Sequence, residues 1–331
     1  MKSKKPIRII ASGQYLPAQV SSEELEVRFS LPRGWAELHS GVISRHHVSF
    51  ETIGYMGARA IEEALEKANL GLGDIDLIIS AGASFDYPLP CQSSIIKSEL
   101  REGLHCHVPA IHVDTTCLSF VSAFEIAAKM LDGDQYKRIV IVSAEIASKG
   151  LNTHNLETLT LFGDGASAFI LAFDDSSPSA FYKAYFKTYS EGVYHTIIRG
   201  GGAVHFFRDY PYDEKLHSFD MDGMKVLKLA ARKLPEFMDF VCSDLSVSLA
   251  DVDVIVPHQA SKAGLSLFRK MFHLSQDQVK ENIATHGNCI AASIPLLLHD
   301  TIMKDEIKRG DLCMLIGTSA GFSIGALLFR Y

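Results

Sequence analysis

The six cysteines of this chain, Cys91, Cys106, Cys117, Cys242, Cys289 and Cys313, include no CxxC pair and follow no regular framework. That spacing excludes a disulfide scaffold and a thiolate zinc site as organising features. Free thiols in a reducing, cytoplasmic compartment are the expectation. No apolar run approaches the length of a membrane span. The basic start, Met1 to Pro6, leads straight into the strand-like run Ile7 to Ala11 without an apolar h-region, so no signal peptide is expected. Positive charge is also short: the formal net charge is −7, and no global field draws nucleic acid or an anionic membrane. An acidic partner would have to meet a local patch. Among fourteen histidines, neither His105-Cys106-His107 nor His46-His47 has metal-site spacing. Gly163-Asp164-Gly165 and Gly200-Gly201-Gly202 lack the Lys-Ser/Thr of a phosphate loop and the GxGxxG turn. No metal is expected.

What is present is a large apolar chain. It has 331 residues, 47% of them hydrophobic and 21% charged, enough for two domains or one large core and unlike a disordered chain. Helical spacing over Thr52 to Lys67 alternates with short buried strands at Leu77 to Ala81, Ala110 to Thr115, Arg138 to Ala144 and Ser167 to Phe173. Ser176-Ser177-Pro178-Ser179 then reads as a linker. The second half repeats the plan. Leu249 to Pro257 resembles Leu72 to Ser80, 177 positions earlier (251 − 74), and Cys313 to Gly317 lies 174 positions after Ile139 to Ser143 (313 − 139). Two α/β copies, residues 1–175 and 176–331, are therefore expected, each a mixed or mostly parallel sheet covered by helices.

Three stretches carry chemistry. Cys117 follows Val113-Asp114-Thr115-Thr116, where an extended run gives way to a helix predicted over 118–131 that is apolar on nearly every face. A thiol at a buried helix start is expected to lean toward the thiolate. Free cysteine also packs as a small hydrophobe, and that role stays open for Cys117. His258 leaves a buried strand in Val256-Pro257-His258-Gln259-Ala260-Ser261, and Asn288 stands in Thr285-His286-Gly287-Asn288-Cys289 before a small-residue helix. A thiolate can attack an acyl carbonyl, and a neutral imidazole with an amide can donate to a thioester oxygen or enolate. Residue by residue, a strand-end histidine and a turn asparagine are equally available readings.

The motifs resemble those of the β-ketoacyl-acyl-carrier-protein synthase III family, in the thiolase-like superfamily. They are Gly13-Gln14-Tyr15-Leu16-Pro17, Trp35 with Ser40 to His46, Leu161 to Ala166, Pro257-His258-Gln259-Ala260, His286-Gly287-Asn288 and Ala320 to Ala326, in one order along almost the whole chain. The resemblance implies an α/β fold of five layers, α-β-α-β-α, made of two duplicated halves, and a homodimer. It implies Cys117 as the acylated nucleophile, His258 and Asn288 as the decarboxylation pair, and an oxyanion hole from the Cys117 and Ala320 N–H groups. It further implies Trp35 at the substrate mouth, acyl carrier protein as partner, and an acyl-CoA or acyl-carrier thioester as substrate with no cofactor.

The chain departs from that family at the coenzyme A mouth. Leu156, His39, Leu38 and Ser261 replace the usual contact residues, and Ser319-Ala320 stand where glycines are usual. A carrier-bound or specialised acyl donor is therefore expected rather than acetyl-CoA. Lys225 and Lys228 at i, i+3 spacing, with Lys262, Arg269 and Lys270, are the expected basic rim for the acidic carrier. Two other classes stand beside condensation: transfer of the acyl group from Cys117 to an alcohol or amine, and a non-catalytic partner subunit. The full Cys-His-Asn set argues against the last.

Overall fold

The computed structural model describes residues 4–331. Nine strands form its two main sheets: β1 (Ile7–Tyr15), β2 (Leu77–Ala81), β3 (Ala110–Val113), β4 (Arg138–Glu145), β5 (Gly165–Phe173), β6 (Ala180–Thr188), β7 (Val254–Pro257), β8 (Leu312–Ser319) and β9 (Ser323–Arg330). The first sheet runs β1-β5-β4-β2-β3, and the second runs β7-β8-β9-β6. In each, the strands expected as repeats pair in parallel, β2 with β4 and β7 with β8, and an antiparallel strand follows on the far side. Among the described residues, the second sheet has no full counterpart of β3. Its place is marked by one parallel bridge, Ile255 to Val279.

Five helices complete the layers: α1 (Ile53–Ala68), α2 (Ser119–Met130), α3 (Gly223–Leu245), α4 (Lys262–Phe272) and α5 (Ser293–Met303). Their sequences explain their positions. The helices α2 and α5 are apolar on nearly all sides, and both are sandwiched between the sheets. One core joins Phe120, Phe124, Ile294 and Leu297 to Ile79 and Ile141 of the first sheet and to Val256 and Leu315 of the second. The one-sided helix α1 covers the outer face of the first sheet through Met56, Ile61 and Leu65. The outer face of the second sheet takes Phe237 and Met238 of α3 and Phe268 of α4. The order of layers is thus α-β-α-β-α. Each buried Phe ring stabilises the stack by about 2–3 kcal/mol.

The helix predicted over 118–131 starts at Ser119, and Cys117 stands just before it in the one-turn segment Thr116–Leu118. Apolarity alone locates a buried helix but not its first turn. Ser176–Ser179 lies in the turn between β5 and β6, so the chain passes there from one sheet to the other.

Candidate active site

Cys117 is placed by a tight turn at the end of β3. Asp114 Oδ1 accepts the Thr116 N–H at 2.7 Å, and Ser119 Oγ accepts the Thr115 N–H at 2.9 Å. Thr116 has φ 52°, a left-handed conformation that costs a β-branched residue about 1–2 kcal/mol. The thiolate expectation is corrected here. Burial pushes the Cys117 thiol up to about 12, although the Ala320 and Cys117 N–H groups pull it down, and Glu145 adds to the rise. With the helix starting two residues later, its dipole does not offset the lost solvation. The resting residue is a thiol at neutral pH. The two N–H groups that act on its sulfur are those of Cys117 and Ala320, and Thr116 Oγ1 reaches the Ala320 carbonyl at 3.4 Å.

His258 directly follows β7, with its N–H on the Ile316 carbonyl at 2.8 Å. It meets the Cys117 turn across Gly317. A Cβ on Gly317 would lie 2.7 Å from His258 Cβ and 3.3 Å from Leu118 Cδ2, so glycine lets the two segments approach. Burial lowers the His258 pKa to about 4, which leaves the ring neutral at pH 7. Its Nδ1 is buried with no protein partner among the described residues. Asn288 is buried and joins the same loop, its Nδ2 donating to the Ala260 carbonyl at 3.4 Å. Its Oδ1 accepts the Ile290 N–H at 2.9 Å, and its own N–H is held by Leu161 O at 2.9 Å. The turn Ile290–Ala292 after Asn288 packs on the turn of Cys117, and so does β8. Thus three of the predicted residues arrive from three elements at one place.

A small apolar pocket of about 100 Å³ opens between α3 and α4, with His258, Ile316, Gly317 and Thr318 on its wall. The mouth residues are arranged less simply. His39 stacks on Trp35, ring centroids 4.0 Å apart and planes 16° apart, and its Nδ1 lies 2.8 Å from the Trp35 carbonyl. One indole face is therefore covered from within the chain. Leu38 and Leu156 are exposed. Ser261 has a structural task that sequence reading missed: its Oγ caps α4 by accepting the Gly264 N–H at 3.0 Å.

The basic residues divide into two groups. Lys225, Lys228 and Arg232 of α3 line a shallow hollow with Glu191 of the turn after β6, and Lys225 is paired with Asp222 at 2.8 Å. Arg269 and Lys270 lie elsewhere, beside Ser266 and His273 of α4 and its end, and Arg269 is bound to Glu281. Lys262 is exposed, its alkyl stem laid over Gly41. Of the five, Lys228, Lys262 and Lys270 are exposed and make no ion pair among the described residues.

Glu145 was not picked out from the sequence. It ends β4, is fully buried, and accepts the Ala83 N–H at 2.8 Å and the Ser84 hydroxyl. Burial raises its pKa to about 7 against those hydrogen bonds. An acidic residue closing an otherwise apolar strand was the only sequence signal.

The chain is similar to known proteins along almost its whole length. Residues 111–190 match the model for 3-oxoacyl-[acyl-carrier-protein (ACP)] synthase III, and residues 242–331 match the model for the C-terminal part of that synthase. The chain is 32% identical over 328 residues to the β-ketoacyl-[acyl-carrier-protein] synthase III of Neisseria meningitidis serogroup B, covering 98% of this chain and 99% of that one. It is 30% identical over 325 residues to the synthase III of Vesicomyosocius okutanii, covering 98% of each. The crystal structure of the Aquifex aeolicus synthase III superposes with a TM-score of 0.86 at 27% identity, covering 99% of this chain and all of that one.

Proposed function

This chain belongs to the 3-oxoacyl-[acyl-carrier-protein] synthase III family of acyltransferases, and from that premise we propose that it joins an acyl group to a malonyl thioester by decarboxylative condensation. The observation that carries the reading is the meeting of the Cys117, His258 and Asn288 loops across Gly317 and Ala260. In the first half-reaction, Cys117 gives up its proton as its sulfur attacks the donor carbonyl. The donor C–S bond breaks, and the carrier leaves as a thiol after taking a proton. In the second, the malonyl carboxylate leaves as CO2 and its bonding pair forms an enolate. Neutral His258 and the Asn288 amide donate to the enolate oxygen. The enolate carbon attacks the acyl-enzyme carbonyl, whose oxygen is held by the Cys117 and Ala320 N–H groups. Collapse releases the 3-oxoacyl thioester and returns the Cys117 thiolate, which is reprotonated. The residues carry all of these steps, with no cofactor.

The donor is a carrier-bound acyl thioester rather than acetyl-CoA. The covered face of Trp35 and the exposed Leu38 and Leu156 support this, because the two leucines offer no cation to a nucleotide and His39 already occupies one indole face. Lys228, Lys262 and Lys270 are the exposed cations for an acidic carrier. The chain works as a homodimer: β3 is an edge strand with an exposed Ile111, and exposed Phe85, Tyr87 and Leu89 precede it. A cytoplasmic setting fits the six free thiols.

Intact-mass measurement after incubation with a panel of acyl thioesters, followed by CO2 release from malonyl carrier protein, tests the reading. The wild type should gain one acyl group at Cys117 and release CO2, and Cys117→Ala should gain none. Acylation without any CO2 or 3-oxoacyl product would assign the chain to transfer onto an alcohol or amine instead. Acetyl-CoA as the best donor would overturn the donor assignment.

A further inference from the structure

Gln259, next to His258, is fully buried, and its side chain does not face the apolar pocket between α3 and α4. Its amide instead spans two loops. Nε2 donates to the Pro257 carbonyl at 2.9 Å, within the His258 loop. Oε1 accepts two N–H groups, those of Asn282 and Ile283, each at 3.1 Å. These open the short helical turn Ile283–His286 that leads through Gly287 to Asn288. Helix-start N–H groups need an external acceptor, and the N-cap residue usually supplies it. Here Asn282 does not, because its Nδ2 is turned to Asp300 at 2.9 Å and its side chain makes no cap. Gln259 fills that role from another part of the chain.

The consequence is a fixed distance between two functional side chains. Neither ring nitrogen of His258 makes a protein hydrogen bond among the described residues, so the ring is aimed by its backbone and by packing on Gly317. The Asn288 amide touches the same loop only through the 3.4 Å contact with Ala260. We infer that Gln259 is a positioning residue for decarboxylation, holding the Asn288 turn in register with His258, and that it has no part in acylating Cys117. This rests on the condensation reading above.

The test separates the half-reactions. Gln259→Leu keeps the volume and removes the clamp. Malonyl-carrier decarboxylation should fall about 10-fold to 100-fold, as expected for a sub-ångström to 1 Å displacement, while the rate of Cys117 acylation changes less than about threefold. Gln259→Asn, too short to reach both partners, should give the same split more weakly. Gln278→Leu is the control. That residue also bridges main-chain groups, the Leu249 and Val252 carbonyls at 2.7 Å, but away from the site. It should lower the melting temperature comparably and produce no split. Parallel loss of both half-reactions in Gln259→Leu, loss of neither, or the same split in Gln278→Leu would overturn the inference. A wild type that releases no CO2 would overturn the proposed function, and the inference with it.

Discussion

In the first half of the chain, Asp114 Oδ1 takes the Thr116 N–H and Ser119 Oγ takes the Thr115 N–H; 174 residues on (288 − 114), Asn288 Oδ1 takes the Ile290 N–H and Ser293 Oγ takes the Cys289 N–H. The four distances fall between 2.7 and 2.9 Å. Thr116 and Ile290 both adopt a left-handed backbone, φ 52° and 48°, and a one-turn segment then leads into a central helix in each case. The frame is the same, and the side chains it presents are not. Where the first turn presents Cys117, the second presents Ala291. Where the first uses a carboxylate as its turn acceptor, the second uses an amide, which accepts in the same way and has a donor left over. Duplication thus supplied two equivalent turns that face each other across the molecular centre. In the proposed reaction one carries the nucleophile and the other a hydrogen-bond donor.

The largest test of that division moves the thiol. Cys117→Ala should lower acylation by at least about 10³-fold, because no other thiol stands at that turn. Adding Ala291→Cys to it should restore nothing, since position 291 is fully buried in the second turn. Mass spectrometry after exposure to acyl thioester reads both. Acylation at residue 291 would show the turns to be interchangeable.

The next test makes the second turn a copy of the first. Asn288→Asp keeps the acceptor for the Ile290 N–H but loses the Nδ2 donor and adds a charge. Decarboxylation should drop about 10²-fold to 10³-fold, with acylation within about threefold. Equal CO2 release by variant and wild type would remove Asn288 from the chemistry and leave it as a turn residue.

A smaller effect concerns His258, which has no titrating partner in the first half. Its folded-state pKa is about 4, below the ordinary histidine value of 6.5. The unfolded chain therefore binds more protons between these values, and the stability associated with the neutral ring is lost as pH falls from about 6.5 through about 4. His299, also lowered to about 4, acts in the same window, whereas Glu145, raised to about 7, makes stability fall as pH rises from about 4.5 to 7. These trends offset one another in the wild type. The difference between wild type and His258→Gln in urea unfolding isolates the first. It should shrink by about 3 kcal/mol on going from pH 7 to pH 4, and a pH-independent difference would mean that the buried ring is not held neutral.

Much of this was legible in the sequence. Apolar runs gave the strands and the two central helices, because burial on all sides leaves no polar face to disguise them. The offset of Leu249 to Pro257 from Leu72 to Ser80 marked the duplication, and it recurs between β2 and β7. Cys117, His258 and Asn288 could be singled out as candidates because each ends an apolar strand or begins a small-residue turn, and their proposed roles come from the resemblance to the synthase III motifs. The equivalence of the two turns was not. It rests on serine and Asx side chains that bond main-chain N–H groups, and residues of those types occupy many turns without such a role. The thiol state of Cys117 was misread because burial depends on the second sheet, which no local spacing encodes. Gln259 and Glu145 were passed over for the same reason: their partners lie 23–24 and 61–62 residues away.

The smallest effect addresses the frame itself. Ser119 and Ser293 are both buried and each holds a turn N–H at 2.9 Å. Replacing either by alanine leaves one turn N–H without its side-chain acceptor, at a cost of about 1 kcal/mol. If the turns are structural equivalents, the two losses measured by urea unfolding should agree within about 0.5 kcal/mol, and they should add in the double variant, because each serine serves its own turn. The functional consequences should differ even so. Ser119→Ala loosens the Cys117 turn and should slow acylation first, whereas Ser293→Ala loosens the Asn288 turn and should slow CO2 release first. Equal stability losses with opposite half-reaction losses would establish one frame with two separate chemical duties. Unequal stability losses would mean that the strain at Thr116 and Ile290 is relieved differently, and that the resemblance of the two turns stops at their hydrogen bonds.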